Sequence, residues 1–395
     1  MIPRAFLVRS LVTRFPPGQE SDETRPTHFP HMVRVDGLSP AQAAALREQA
    51  RLLDVRMVEE WPEGAVISAD AGSLATLSRD LPAAHAPVAR ALSGLVAALA
   101  HPVLRLPFKG GELRLDPAAG ALVMGVLNVT PDSFSDGGRH AGVQEAVEHG
   151  VRLASEGASL VDVGGESARP GAAPVSLDEE LSRVIPVVAD LRAALPAGVP
   201  ISIDTMKAEV ACQAVAAGAE IINDVSGLSA DPAMRETAAS LGAYVIVNHM
   251  RGVPRNMQES PSYRDVVPEV IEDLSVLVDA ALRAGIDAGR IWIDPGIGFG
   301  KRHQDNLAIL RHMPSFVSLG RPVVVGVSRK SFLAALVDDT GPADPPRADA
   351  TLAAEVCAML GGAHVIRTHE PARARRAARV AAAIGSPAPQ APSPR

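Results

Sequence analysis

The sequence predicts an α/β fold: an eight-stranded (β/α)8 barrel preceded by a small N-terminal α/β domain. Three observations predict it. From Ala121 onward, short apolar runs alternate with amphipathic helical patterns eight times over roughly 260 residues, the size and rhythm of such a barrel. The runs are nearly all Val, Ile and Leu, as expected for strands covered on both faces of a parallel sheet. Polar residues gather just after the runs, where barrels carry their ligand-binding groups. A doubly wound open sheet shares the same alternation and is the competing architecture.

Residues 1–30 read as a poorly ordered segment, because Phe15-Pro16-Pro17-Gly18 leads into the charged run Gln19 to Arg25. Residues 31–115 read as a small α/β unit. Met32 to Val35, Val55 to Val58 and Ala65 to Ala69 form strands. Ser39 with Pro40 opens a helix through Leu53, since serine caps and proline suits the first helical position. Gly72 to Leu81 and His85 to Ala100 are helices, and Leu104 to Leu115 is a hairpin turning at Gly110-Gly111. The unit carries no cluster of site chemistry and reads as a structural or interface module. Residues 116–385 hold the barrel. Its strands are Leu122–Leu127, Leu160–Val163, Pro200–Ile203, Ile221–Ile222, Tyr244–Val247, Ile291–Ile293, Val323–Val325 and Val365–Ile366. The helices include Val143 to Glu156, Leu177 to Leu195, Glu209 to Ala217 and Val266 to Ala284. Residues 386–395 are Pro/Ser/Ala-rich and read as a disordered tail.

Composition narrows the function. Aromatics are only 3% of the chain, so base stacking on aromatic platforms is not its main activity. The net charge of −7 argues against general binding to nucleic acid or membrane surfaces. Cys212 and Cys357 have no close-spaced partner and read as two buried free thiols in a reducing compartment. No apolar run reaches the length of a membrane span, and arginines interrupt the N-terminal apolar residues. A cytoplasmic protein is expected.

The strand ends separate into two chemistries. Asp204, Asn223 and Asp294 offer carboxylate and amide acceptors, which suit a planar, donor-rich ligand. Lys330, Arg367 and His369 follow the last two strands, where barrels often bind phosphate. A ligand with a flat donor-rich head and an anionic tail satisfies both groups. Taken singly, each residue has a plainer reading. A lone strand-end Asp is most often a helix cap, Asp162 and Glu166 tie loops together, and His249 is a satisfied rim histidine. Gly296 to Lys301 resembles a phosphate loop but has Pro295 and Arg302 at defining positions, so it fails that pattern. No nucleophile–base set at a recognisable elbow supports a hydrolase.

Seven ordered blocks carry a resemblance: LNVTPDSFSDGG (127–138), DVGGES-A-RPGA (162–172), ISIDT (201–205), IINDVSG (221–227), DPGIGFGK (294–301), GVSRKS (326–331) and IRTHE (366–370). From about Ala121 to Ile384 the chain resembles the dihydropteroate synthases of folate biosynthesis, a sulfonamide-target family. The resemblance implies a transferase that condenses 6-hydroxymethyl-7,8-dihydropterin pyrophosphate with 4-aminobenzoate, releasing 7,8-dihydropteroate and pyrophosphate. It implies that Asp204, Asn223, Asp294, Lys330 and Arg367 bind the pterin. Arg367 and His369 hold the departing pyrophosphate. Pro170, Phe299, Lys330 and Ser331 line the 4-aminobenzoate pocket. Asn128 coordinates Mg²⁺, and Asp132 and Arg169 act from two mobile loops. It also implies a homodimer. The chain departs from the family at Ala168, where Thr is common, and at Met206, where a small polar residue is usual. Two other readings keep the pterin site: a methyltransferase using methyltetrahydrofolate, which lacks the SRKS lysine and the NVTPDSFSDGG loop, and a non-catalytic pterin-binding scaffold.

Overall fold

The computed structural model describes residues 4–10, 31–53, 55–99, 103–116, 119–129, 138–167, 174–317, 319–337 and 345–385. The chain divides into two compact units, residues 1–102 with 312–321, and residues 103–311 with 322–395.

The first unit has a four-stranded antiparallel sheet and three helices before residue 102. Its strands are β1 (Arg4–Ser10), β2 (His31–Asp36), β3 (Arg56–Trp61) and β4 (Gly64–Ala69), in the order β1-β2-β4-β3. Residues 4–10 fall in the segment that the sequence predicts to be poorly ordered. They instead pair with β2 from Arg4↔Asp36 to Ser10↔His31, because a strand edge supplies the backbone partners that a short segment cannot supply itself. The helices are α1 (Pro40–Leu52), α2 (Ala71–Asp80) and α3 (Ala86–Leu99). The expected cap of α1 is present as a full capping box: Ser39 accepts from the Gln42 amide, and Gln42 accepts from the Ser39 amide. Val33, Val35, Ile67, Leu46, Leu74, Leu77, Leu92 and Leu95 form the unit's own core.

The second unit is a closed parallel barrel. Its strands are β7 (Leu122–Asn128), β8 (Leu160–Gly164), β9 (Ile201–Asp204), β10 (Ile221–Asp224), β11 (Tyr244–Asn248), β12 (Ile291–Asp294), β13 (Val324–Gly326) and β14 (Val365–Thr368). They pair in the order β12-β11-β10-β9-β8-β7-β14-β13, and a parallel bridge between Ile293 and Val323 joins β12 to the β13 side. That closure excludes the open doubly wound sheet. The surrounding helices are α4 (Gly138–Ser155), α5 (Leu177–Ala194), α6 (Ala208–Ala217), α7 (Met234–Leu241), α8 (Val266–Arg283), α9 (His303–Arg311), α11 (Ser331–Leu336), α12 (Pro345–Leu360) and α13 (Pro371–Gly385). The short α10 (Met313–Val317), between α9 and α11 in the chain, falls in the first unit.

The hairpin β5 (Leu104–Phe108) and β6 (Gly111–Leu115) belongs to the barrel unit, so the boundary drawn at residue 115 moves to residue 102. The reason is packing. Leu106, Leu113 and Leu115 share one buried cluster with Met124, Leu160, Ile221, Tyr244, Trp292, Val324 and Val365, the residues at the starts of the strands. Phe108 stacks on Tyr244 with ring centroids 4.4 Å apart, and the Tyr244 hydroxyl donates to the Pro107 carbonyl at 3.0 Å. The hairpin thus plugs the N-terminal mouth of the barrel with apolar side chains and removes water from that end.

This plug fixes which residues point inward. Side chains alternate along a strand, so positions two or four beyond the plug layer face the interior again. From Leu160 that rule reaches Asp162. From Ile221 it reaches Asn223, from Trp292 Asp294, from Val365 Arg367 and His369, and from Met124 Asn128. One apolar layer at the bottom therefore sets one polar layer at the top.

Cys212 is partly exposed and Cys357 exposed, so the expectation of two buried thiols does not hold. Both lie on helices with only one face covered.

Candidate active site

A cavity of about 880 Å³ opens at the C-terminal ends of the barrel strands. Asn128, Asp204, Asn223, Asp294, Phe299, Lys330, Ser331, Arg367 and His369, nine of the predicted site residues, all line it. Asp132, Arg169 and Pro170 lie outside the described residues, as does the variant position Ala168.

The acceptor side is built around Arg367. Its Nε donates to Asp162 Oδ2 at 2.6 Å and its Nη2 to Asp204 Oδ2 at 2.7 Å. Burial pushes the Asp204 carboxyl above its ordinary range, and the Arg367 guanidinium opposes that shift. Burial also raises Asp294, against the pull of Lys330, while Asp294 Oδ1 accepts the Gly296 amide at 2.7 Å. Asn223 is buried, and its Nδ2 donates to Asp162 Oδ2 at 3.1 Å. The result is a wall of acceptors held by one cation whose remaining N–H groups are uncommitted by these two bonds.

The cationic side is built by two loops. Lys330 follows β13 and caps α11; its Nζ donates to the Ile297 carbonyl and lies 4.5 Å from the centroid of the Phe299 ring. Burial lowers Lys330 to about 8, with Asp294 acting in the other direction. Arg329 before it adopts a left-handed backbone, φ 60°, a strained conformation of the kind that clusters at functional sites. Ser328 Oγ sits 2.9 Å from His369 Nδ1 and accepts the His369 backbone N–H at 3.3 Å, which orients that ring.

The loop after β12 needs glycines. Gly296, Gly298 and Gly300 all have positive φ, and a Cβ on Gly298 would stand 2.9 Å from Lys330 Cδ. Lys301 pins this loop from beneath. It is buried, and its Nζ reaches the Gly296 carbonyl at 2.8 Å, the Phe299 carbonyl at 3.1 Å and His249 Nδ1 at 2.8 Å. Burial pushes the Lys301 amine well down. His249 Nε2 contacts Asp273 Oδ2 at 3.0 Å, and burial followed by the Lys301 charge lowers its imidazole to about 4. His249 is therefore the satisfied, neutral rim histidine the sequence suggests, and the lookalike phosphate loop is an internal brace.

Ser328 and Lys301 line the cavity and Asp162 stands behind it, roles the sequence reading did not give them. For Asp162 and Ser328 the missing signal is the inward period-2 phase, which the plug layer reveals. Glu166 lines the cavity and binds Lys207, which also binds buried Glu180; Glu166 Oε1 accepts the Val175 amide, consistent with a loop tie. Among the described residues no cluster of three His, Cys, Asp or Glu can hold a metal. The residue that would hold a magnesium ion here is Asn128, through its amide oxygen. Asn128 presents an exposed amide at the cavity, and hard cations of this size keep substrate oxygens and waters rather than a full protein cage.

Buried acceptors beside cations at the mouth of a (β/α)8 barrel define a barrel enzyme for a donor-rich ligand with an anionic substituent. The family model described as "Pterin binding enzyme" matches residues 124–369, more than half of the chain, and the chain belongs to that family. Its relatives include dihydropteroate synthases. The chain is 47% identical over 252 residues to the dihydropteroate synthase of Mycobacterium leprae, covering 63% of this chain and 88% of that one. It is similar to the Xanthomonas albilineans dihydropteroate synthase solved with 4-aminobenzoic acid: TM-score 0.65, 45% identity, 72% of this chain and 98% of that one. The same organism's enzyme in complex with 7,8-dihydropteroate gives a TM-score of 0.63 at 44% identity, over 71% of this chain and 98% of that one.

Proposed function

We propose that this cavity condenses 6-hydroxymethyl-7,8-dihydropterin pyrophosphate with 4-aminobenzoate, forming 7,8-dihydropteroate and releasing pyrophosphate. The observation that carries the reading is Arg367, bonded at once to Asp162 and Asp204. It joins the acceptor wall for the pterin edge to the cationic end for the pyrophosphate.

The pterin's amino-pyrimidinone edge donates to Asp204, Asn223 and Asp294. Arg367 lies against the ring face and, with His369, receives charge as the C–O bond to pyrophosphate breaks. Preorganised cations of this kind cost no reorganisation at the moment of reaction. Magnesium held by Asn128 and the pyrophosphate would add Lewis-acid stabilisation of the leaving group. The exocyclic methylene is left as a cation conjugated with the ring, and buried Asp294 and Asp204 favour that charge. The aminobenzoate nitrogen then attacks from the side of Phe299, Lys330 and Ser331, and the resemblance adds Pro170 to that pocket. The resemblance implies that Asp132 and Arg169 act in this step. No strong base is required, in keeping with a neutral His249. The resemblance further supports a cytoplasmic homodimer and a sulfonamide target. Among the described residues no helix is long and apolar enough to cross a membrane.

The test is reconstitution: purified protein, the pterin pyrophosphate, 4-aminobenzoate and Mg²⁺, with dihydropteroate followed directly. Product forms, EDTA suppresses it, and Asp294→Ala abolishes it, since loss of one buried charged partner costs roughly 2–5 kcal/mol. Folded protein that makes no product refutes the reading and favours a pterin-binding scaffold.

A further inference from the structure

Asp162 stands behind the site rather than in it. Its side chain is fully buried and does not line the cavity, yet its Oδ2 receives both the Arg367 Nε–H and the Asn223 Nδ2–H. Its Oδ1 is buried with no hydrogen-bond partner. A buried carboxylate with one oxygen unsatisfied is an expensive group for a strand interior, where Val or Ile packs equally well.

We propose that Asp162 is a positioning residue that sets the hydrogen-bond polarity of the pterin subsite; the proposal rests on the pterin reading given above. An asparagine amide can face a ligand with its oxygen or with its NH₂, two shapes of nearly equal size and opposite sense. A carboxylate paired with a guanidinium only accepts. The atom of Asn223 that meets Asp162 is therefore Nδ2, and the amide oxygen is left for the cavity that Asn223 lines. Asp162 thereby makes Asn223 an acceptor, matching Asp204 and Asp294 on the same wall. The same oxygen takes up Arg367 Nε, so one buried carboxylate aligns the amide and the guanidinium together. Reversal of the amide would aim a donor at the donor edge of the ligand.

The experiment exchanges the two residues. Affinity for 6-hydroxymethylpterin is measured by calorimetry for the wild type, Asp162→Asn, Asn223→Asp and the double exchange. In Asp162→Asn, an NH₂ turned to Asn223 reverses that amide and opposes Arg367 Nε, and an NH₂ turned the other way is buried unpaired where Oδ1 stood; both weaken pterin at least tenfold. Asn223→Asp sets two carboxylates against each other. Its pterin binding is weak at pH 8 and recovers as pH falls, because one shared proton restores the donor between them. In the double exchange, the amide at position 162 donates to the carboxylate at position 223, whose other oxygen faces the cavity. Arg367 Nε loses its acceptor at position 162 and keeps the Nη2 bond to Asp204, so the rescue is partial. The double exchange therefore binds pterin at least tenfold more tightly than the weaker single variant, while the KM for 4-aminobenzoate stays within twofold of wild type. A simple packing role predicts neither the pH recovery nor the rescue. Wild-type affinity in Asp162→Asn overturns the proposal. So does a double exchange that is folded, by an unchanged urea midpoint, and binds no better than the weaker single; it conserves volume and net charge and so remains informative where a single variant does not fold. Failure of the wild type to bind pterin overturns the proposed function instead.

Discussion

Replacement of Arg367 by methionine tests the site's electrostatic design. Methionine keeps much of the side-chain volume and removes the cation. Two charge-assisted hydrogen bonds, at 2.6 and 2.7 Å, disappear, and they leave carboxylates whose side chains are 0% and 14% exposed. Stripping one partner from a buried ion pair costs about 3–5 kcal/mol. Separately, loss of one preorganised donor to the leaving group lowers kcat/KM for the pterin pyrophosphate by about 10²- to 10³-fold. Stability changes with a definite sign. Burial already holds the Asp204 carboxyl above its ordinary value, and Arg367 is the largest effect opposing that rise. Without the arginine the carboxyl rises further, so the native state keeps a proton that the unfolded chain has lost. Stability of the variant is then greatest below the ordinary carboxyl range and falls as pH rises through the raised value. Urea unfolding at pH 5, 6.5 and 8 should show the gap from wild type widening with pH. A gap that does not change with pH, or a loss in kcat/KM below tenfold, refutes the reasoning.

Two further perturbations probe the supports of the site. Glu355 on α12 is buried, bonded to Thr368 between Arg367 and His369, and raised to about 7 by desolvation, so its contribution to stability is lost as pH rises through that value. Glu355→Gln removes this slope and gains on wild type by about 3 kcal/mol at pH 8 but only about 1 kcal/mol at pH 5; parallel pH profiles of unfolding would sink the assignment. Gly298→Ala places a Cβ 2.9 Å from Lys330 Cδ at a φ of +84°, so it should shift Lys330 from Phe299 and raise the KM for 4-aminobenzoate about tenfold, on the scale of a small misplacement near the chemistry. An unchanged KM in steady-state kinetics would show that the Lys330 position is not set by this loop.

The unassigned inward layer explains where sequence reasoning stopped. Asp204, Asn223 and Asp294 were legible because each is a polar residue directly ending an apolar run. Asp162 sits inside Leu160–Gly164, and only its inward phase distinguishes it from a loop tie. Lys301 matched a phosphate-loop shape in sequence, and only its contacts with three carbonyls and His249 show it to be a brace.

By itself the sequence determined the eight-fold strand–helix alternation, the acceptor and cation groups at the strand ends, and the family, because these follow from local periodicity and from residue types at fixed spacing. Tertiary structure decided the rest. It closed the sheet between β12 and β13, drew residues 4–10 into a strand, and assigned the hairpin of residues 104–115 to the barrel. It also turned scattered strand ends into one wall ordered by Asp162 and Arg367. Each of these depends on contacts between residues distant in the chain, such as the 205 positions separating Asp162 from Arg367, and no local pattern encodes such a contact.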